Sequence, residues 1–258
     1  MTPFRVVAVP GLGLSVAVAR RTLDRLPGGD GAVVLLPGFG RRAPRGTPVA
    51  PDRLARLLLD RLPAGGPAVL VGHSIAGGAV TIAAATAPEL VSAVVELAPF
   101  TRKQSIDLGG LLRVKRFRAG YVQLAKVIMG GSVEGWKKYL DVAMPVKPAD
   151  WPGELARIVA KLSEPGRMNA MQSMCKSSPA DAGEQLPNVK CPVLVIEGSL
   201  DPDWADPRAE GDRIIADLPA GLGELAVIEG AGHYPHVQTP DEVLALTLPF
   251  LARTLTRA

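Results

Sequence analysis

The chain has 258 residues, enough for one α/β core with an insertion or for two small domains. Apolar residues at 47% and charged residues at 21% exclude a disordered chain, and aromatics at 4% argue against an aromatic-rich binding platform. The net charge of +4 comes with no helix-turn-helix signal, zinc-finger spacing or aromatic RNA-binding pattern, so no nucleic-acid partner is expected.

Short apolar runs alternate with longer helical patterns along the chain. Arg5–Val9 reads as a strand and Ser15–Leu26 as a helix. Ala32–Leu36 is the next strand, followed by a helix over Asp52–Leu62, where Leu54, Leu57, Leu58 and Leu62 share one face. Then come the strand Ala68–Val71, the helix Ile75–Ala87 and the strand Ala93–Leu97. After a long gap, the strand Val193–Ile196, helix Pro207–Leu218, strand Leu225–Ile228 and helix Asp241–Thr254 resume the pattern. The strands are rich in Val, Ile and Leu without polar alternation, as expected when both faces of a parallel sheet are covered. The fold class is therefore α/β, with a doubly wound, mostly parallel sheet.

The gap, from about Thr101 to Pro187, holds no convincing strand. Helical patterns run over Gly109–Met129, Ser132–Val142, Pro152–Leu162 and Gly166–Cys175, divided by Pro145, Pro148, Pro165 and Pro179. An all-helical block between two sheet strands is expected to be a lid. Residues 1–100 and 188–258 then form the core, with 101–187 inserted. From Thr101 to Gly183 there are fourteen Lys/Arg against seven Asp/Glu, with Arg113, Lys115, Arg116 and Arg118 clustered. An anionic substrate or carrier would suit that surplus; a solvated helix face explains it more simply. Arg41, Arg42 and Arg45 read as an exposed loop.

The strongest local signal is Val69-Leu70-Val71-Gly72-His73-Ser74-Ile75-Ala76-Gly77-Gly78: strand, abrupt turn, small-residue helix. A nucleophile elbow needs this layout. The serine is held in a tight strand-to-helix turn with small residues two before and two after it. Gly72 fits, and Ala76 departs from glycine by one methyl. The helix N-terminus also favours negative charge developing near the turn. The simpler alternative is that Ser74 caps a helix in a glycine-rich turn.

These residues resemble the α/β-hydrolase superfamily, whose triad runs Ser, acid, His, each after a strand. Asp201 follows Val193-Leu194-Val195-Ile196-Glu197-Gly198-Ser199-Leu200, similar to the family's strand ending in Gly-x-x-Asp. Asp203 and Asp206 are fallback acids, or plain loop caps. His233 closes Val227-Ile228-Glu229-Gly230-Ala231-Gly232 and resembles the family's histidine loop, with Gln238 where Glu is common. His236 competes with it, and His73 sits inside the elbow, poorly placed to act as base. The resemblance implies an oxyanion hole from the N–H groups of Ile75 and of Leu12, within Pro10-Gly11-Leu12-Gly13. Pro37-Gly38-Phe39-Gly40 is the rival, but it is more similar to a later family loop. On this reading the chain starts almost at the family's third strand.

The resemblance implies hydrolysis of a carboxylic ester, lactone or thioester through an acyl-enzyme at Ser74, with no metal or organic cofactor. A lyase, carbon–carbon hydrolase or cyclase, or a receptor with little turnover, are the alternatives. Serine at the elbow, where aspartate would be needed, argues against dehalogenase and epoxide hydrolase chemistry. Phe100, Trp136, Met171 and Met174 are candidates to line an apolar substrate pocket, with Phe117, Tyr121 and Trp151 as further possibilities. The recurrence of Met168, Met171 and Met174 also fits ordinary packing.

Cys175 and Cys191, with no histidine nearby in the sequence, make neither a metal cluster nor a disulfide scaffold; two buried thiols is the plain reading, a single disulfide the other. No signal-peptide pattern opens the chain. The uncharged run Leu62–Pro88 is broken by Pro63, Pro67, His73 and Ser74, so it reads as a buried strand and helix and not a membrane span. The expectation is a cytoplasmic, bacterial enzyme of a small molecule, monomeric or homodimeric.

Overall fold

The computed structural model describes residues 5–12, 20, 24–25, 32–34, 50–62, 66–103 and 106–255. Among them six strands form one sheet: β1 (Arg5–Val9), β2 (Ala32–Val33), β3 (Ala68–His73), β4 (Val91–Leu97), β5 (Val193–Gly198) and β6 (Gly223–Ile228). Their order is β2-β1-β3-β4-β5-β6, and every pairing is parallel. The sequence expectation of an α/β, mostly parallel sheet is met. The expected helix over Ser15–Leu26, the Pro37–Gly40 loop and the arginines at 41, 42 and 45 lie outside the described residues.

Strand composition explains the layering. Val6 and Ala8, Val69 and Val71, and Leu194 and Ile196 enter one core; their neighbours Val7 and Val9, Ala68 and Leu70, and Val193 and Val195 enter another. Alternate side chains point to opposite faces, so uniformly apolar strands need cover on both sides. One face is covered by α1 (Pro51–Leu59), α2 (Ile75–Thr86) and Ile214 of α9 (Pro207–Asp217). On the other face lies α11 (Pro240–Leu255), through Val243, Leu244, Phe250 and Leu251. Burying Leu54 and Leu58, both 0% exposed, contributes roughly 1.5–3 kcal/mol each.

Six helices lie between β4 and β5: α3 (Leu108–Arg113), α4 (Lys115–Gly130), α5 (Val133–Ala143), α6 (Trp151–Leu162), α7 (Arg167–Cys175) and α8 (Ala180–Gln185). The single helix expected over Gly109–Met129 is broken at Val114, whose extended backbone (φ −104°, ψ 101°) separates α3 from α4. Val114 is β-branched and Gly109 and Gly110 stand about one turn before it, all of low helix propensity, and Asp107 starts α3 by accepting from Gly110 N–H at 2.8 Å. Two short helices escaped the sequence reading: α8, and α10 (Pro235–Gln238) beside the histidine loop. Both cysteines are free thiols. Burial pushes the Cys175 thiol up to about 12, helped by the Asp203 charge, and the Cys191 thiol up to about 11. No helix among the described residues is long and apolar enough to cross a membrane.

Candidate active site

The site forms at the C-terminal ends of the strands. Ser74 stands between β3 and α2 with φ 55° and ψ −127°, a left-handed backbone that is strained for a residue with a side chain. Its surroundings hold it there. Ser74 N–H donates to Leu97 C=O at 3.0 Å, and Ser74 C=O accepts from Gly77 N–H at 2.8 Å and from Phe100 N–H at 3.1 Å. A Cβ on Gly72 would sit 2.6 Å from Val80 Cγ2 and 2.9 Å from Ala76 O. Strand and helix therefore touch at this position. Ala76, with one methyl more than glycine, is 0% exposed and belongs to the same core cluster as Ala79 and Val80.

Asp201 and His233 arrive from the next loops along the sheet. Leu200 N–H donates to Ala231 C=O at 2.8 Å and Gly230 N–H to Ser199 Oγ at 2.9 Å, joining the β5 and β6 exits. A Cβ on Gly198 would collide with the Gly232 and Ala231 carbonyls. Within this junction His233 Nδ1 lies 2.8 Å from Asp201 Oδ2, and His233 Nε2 lies 2.9 Å from Ser74 Oγ. The three residues chosen from the sequence form one hydrogen-bonded chain, buried but open to a cavity through Ser74 and His233. Gln238 has a function that its departure from Glu concealed: its Oε1 accepts from Gly232 N–H at 2.9 Å. A neutral amide oxygen satisfies that donor as a carboxylate would.

All three histidines of the chain gather here. His73 Nε2 lies 2.8 Å from His233 C=O; a carbonyl only accepts, so His73 carries its proton on Nε2. The His73 ring stands 4.6 Å from His236 and 5.1 Å from His233, centroid to centroid. Neither neighbour approaches Ser74 Oγ as His233 does. Burial, reinforced by the charge on His233, pushes His236 down to about 3. His73 falls well below the usual imidazole range by burial and by the charges of His236 and His233, against a smaller rise from its bond to the His233 carbonyl. For His233, burial favours the neutral ring, but the charges of Asp201 and Asp203 and the Asp201 hydrogen bond outweigh it and push the pKa up to about 9.

The fallback acids separate cleanly. Asp206 caps α9, accepting from Ala209 N–H at 3.0 Å. Asp203 is more than a loop cap: its Oδ2 lies 3.3 Å from His233 Nδ1 and accepts from Tyr139 Oη at 2.8 Å. Tyr139, on α5, was missed by sequence reasoning; only its place three residues after Trp136, on the same helix face, hinted at it. The two rings stack at 4.9 Å. Among the described residues, Asp201, Asp203 and His233 are the one set of metal-ligand types close enough to share an ion. Both imidazole nitrogens already face partners, so the arrangement is that of a hydrogen-bonded network.

The cavity beside Ser74 has a volume of about 1180 Å³, somewhat above the usual range of small-molecule sites. Leu12, Ile75, Phe100, Trp136 and Met174 line it, as do Phe117, Tyr121 and Trp204. Leu12 is brought near the elbow by Gly11, where a Cβ would meet Ser74 Cβ at 2.9 Å and press on the His73 ring. Met171 and Met174 are both buried in the same core, but Met171, like Trp151, is not among the lining residues. The Met stripe is thus split: Met174 reaches the cavity and Met171 does not. Arg116 of the basic cluster donates to the Trp204 and Ala205 carbonyls at 3.0 and 3.3 Å, and Arg118 to Leu111 and Leu112 carbonyls. Part of the positive surplus therefore holds backbone.

No curated protein matches the chain by sequence. Solved structures match over nearly its whole length. A thermophilic esterase from Thermogutta terrifontis is 20% identical with a TM-score of 0.71, covering 97% of this chain and 90% of that one. Carboxylesterase CesB from Bacillus subtilis is 16% identical with a TM-score of 0.74, covering 97% and 84%. A meta-cleavage product hydrolase from Pseudomonas fluorescens IP01 is 17% identical with a TM-score of 0.72, covering 97% and 91%. At such identities the likeness is one of fold. The model of the alpha/beta hydrolase family matches residues 6–246, and the chain belongs to that family.

Proposed function

We propose that the protein is a serine hydrolase cleaving a carboxylic ester, lactone or thioester with an apolar acyl group. The observation that carries this reading is the continuous hydrogen-bond chain from Asp201 through His233 to Ser74. In the proposed reaction His233 Nε2 takes the Ser74 proton as Oγ attacks the substrate carbonyl carbon. Leu12 and Ile75 N–H groups stabilise the oxyanion. The imidazolium returns its proton to the departing alcohol or thiol, leaving an acyl group on Ser74. Water, deprotonated by His233, attacks that ester, and the acid leaves as Oγ regains its proton. Asp201 keeps the imidazole in the required tautomer throughout.

An apolar acyl group is supported by Leu12, Ile75, Phe100, Phe117, Trp136 and Met174 around the cavity. The helices α3 to α8, residues 101–187 with their flanks, serve in this reading as a lid. A fluorophosphonate probe is expected to add one adduct, at Ser74, by intact mass and peptide mapping; Ser74→Ala abolishes it and His233→Ala slows it by about a thousandfold. Equal turnover of a chromogenic ester by wild type and Ser74→Ala sinks the proposal. Labelling without ester turnover would instead favour the C–C hydrolase, lyase or cyclase reading, because that chemistry keeps the activated serine.

A further inference from the structure

Asp203 has a carboxylate that the triad does not require, set against the triad's own base. Its Oδ2 lies 3.3 Å from His233 Nδ1, just beyond the 2.8 Å of Asp201 Oδ2. Its side chain is 4% exposed, and its backbone N–H donates to Asp201 Oδ1 at 2.9 Å, so the two acids share one turn. Tyr139, 64 residues earlier on α5, donates to that same Oδ2. Asp203 Oδ1 has no hydrogen-bond partner. Holding a second carboxylate in an enclosed site is costly. A cap of the turn needs no such placement, since Asp206 already starts α9.

We propose that Asp203 is a positioning residue for the base, a second carboxylate that grips His233 Nδ1 together with Asp201 and is itself held by the α5 hydroxyl of Tyr139. This rests on the serine hydrolase reading above. Two negative groups on one nitrogen favour the imidazolium that forms during attack, and they also retain the proton when the site is at rest. The base is free only once that proton has gone, so Asp203 sets the lower pH edge of turnover. Among the described residues, other titratable groups surround the ring and its two acids, including the buried Glu197 of β5, whose charge acts on Asp201 and Asp203. Asp201 comes from the same loop, Ser74 and His73 from the elbow, Arg116 from α4, Tyr139 from α5, Cys175 from α7, and Tyr234 and His236 from the residues that follow. Of these, only Asp201 and Asp203 place an anionic oxygen against Nδ1.

The test is the pH profile of kcat/KM on a chromogenic ester, together with NMR titration of the His233 ring, which needs no substrate. In Asp203→Asn the acid limb and the ring titration both move down by about one pH unit, while the plateau falls less than tenfold. Asp203→Glu restores the limb. Tyr139→Phe, which keeps the stacked ring but removes the donor, moves it down as well, by roughly half a unit, because Asp203 loses the hydrogen bond that both holds it against Nδ1 and favours its charged form. Tyr139→Phe and the NMR titration keep the test decisive should Asp203→Asn fold poorly. Superimposable limbs and ring titrations in wild type, Asp203→Asn and Tyr139→Phe overturn the inference. Failure of the underlying reading looks different: Ser74→Ala then turns over as wild type does, whatever the histidine titration.

Discussion

The two sides of His233 are built differently. On the sheet side its loop is fixed by backbone contacts: Gly198 lies against the Ala231 and Gly232 carbonyls, and Gly72 against α2. On the side of the inserted helices side-chain holds reach across the chain, Tyr139 to Asp203 and Arg116 to the Trp204 carbonyl, beside one backbone bond, His233 N–H to Ala143 C=O at 2.9 Å. Backbone contact needs particular small residues at fixed places, so it tolerates little change. Side-chain holds tolerate more and are the natural place to adjust reactivity.

Substitutions can break that contrast, beginning with the largest effect. Gly232→Val places a branched side chain against the Ala143 carbonyl and Pro145, where both helix and histidine loop are backbone-fixed. A loss of kcat/KM on the order of a hundredfold is expected, consistent with roughly 1 Å of displacement at the base; an unaffected rate would mean the junction is looser than drawn. Next, Gly72→Ala sets a methyl 2.6 Å from Val80 Cγ2 and should cost about 1–3 kcal/mol by denaturant unfolding. Val80→Ala in the same chain should recover only part of it, since the Ala76 carbonyl stays 2.9 Å away.

The methionines sharpen the comparison at smaller scale. Met171→Ala should lower stability by about 2–5 kcal/mol and leave the ranking of ester chain lengths unchanged. Met174→Ala should change that ranking, measured as kcat/KM over a series of acyl chains, because Met174 lines the cavity. Identical profiles in the two variants would dissolve the distinction. The smallest effect concerns Glu96 on β4, buried and holding the Thr81 hydroxyl through one oxygen while the other has no partner. Burial raises its pKa to about 8, against a smaller lowering by Thr81. The folded form binds this proton more tightly than the unfolded chain does. Stability is therefore full below the ordinary glutamate range and declines as pH rises from about 4.5 to about 8. Glu96→Gln should flatten that decline, seen as a Tm a few degrees above wild type at pH 8 and little changed at pH 4.5.

The same contrast explains how much the sequence disclosed. Strands β1, β3, β4 and β5 were legible because burial on both faces demands unbroken Val, Ile and Leu; β6, half-buried at the sheet edge, still carries the apolar run Leu225–Ile228. Ser74, Asp201 and His233 were legible because each ends such a strand in a turn that needs glycine. Tyr139 and the placement of Asp203 were not: an aromatic on an amphipathic helix and an Asp in a loop carry no local mark of the distance between them. The break at Val114 was hidden because helical periodicity runs across it. Met171 and Met174 share a spacing and a buried setting, and only the placement of α7 brings Met174 and not Met171 to the cavity wall.

The bond from Ala143 C=O to His233 N–H has one further consequence for traffic through the site. If the inserted helices are the lid proposed above, that lid cannot swing aside as a unit without breaking this bond or pulling His233 away from Ser74. On the proposed lid reading, reactants would come and go past Ile106, Leu108 and Met129, exposed apolar side chains of the cavity lining, while that bond stays closed. Bulk at the doorway, and not the stiffness of a hinge, would decide which molecules are admitted.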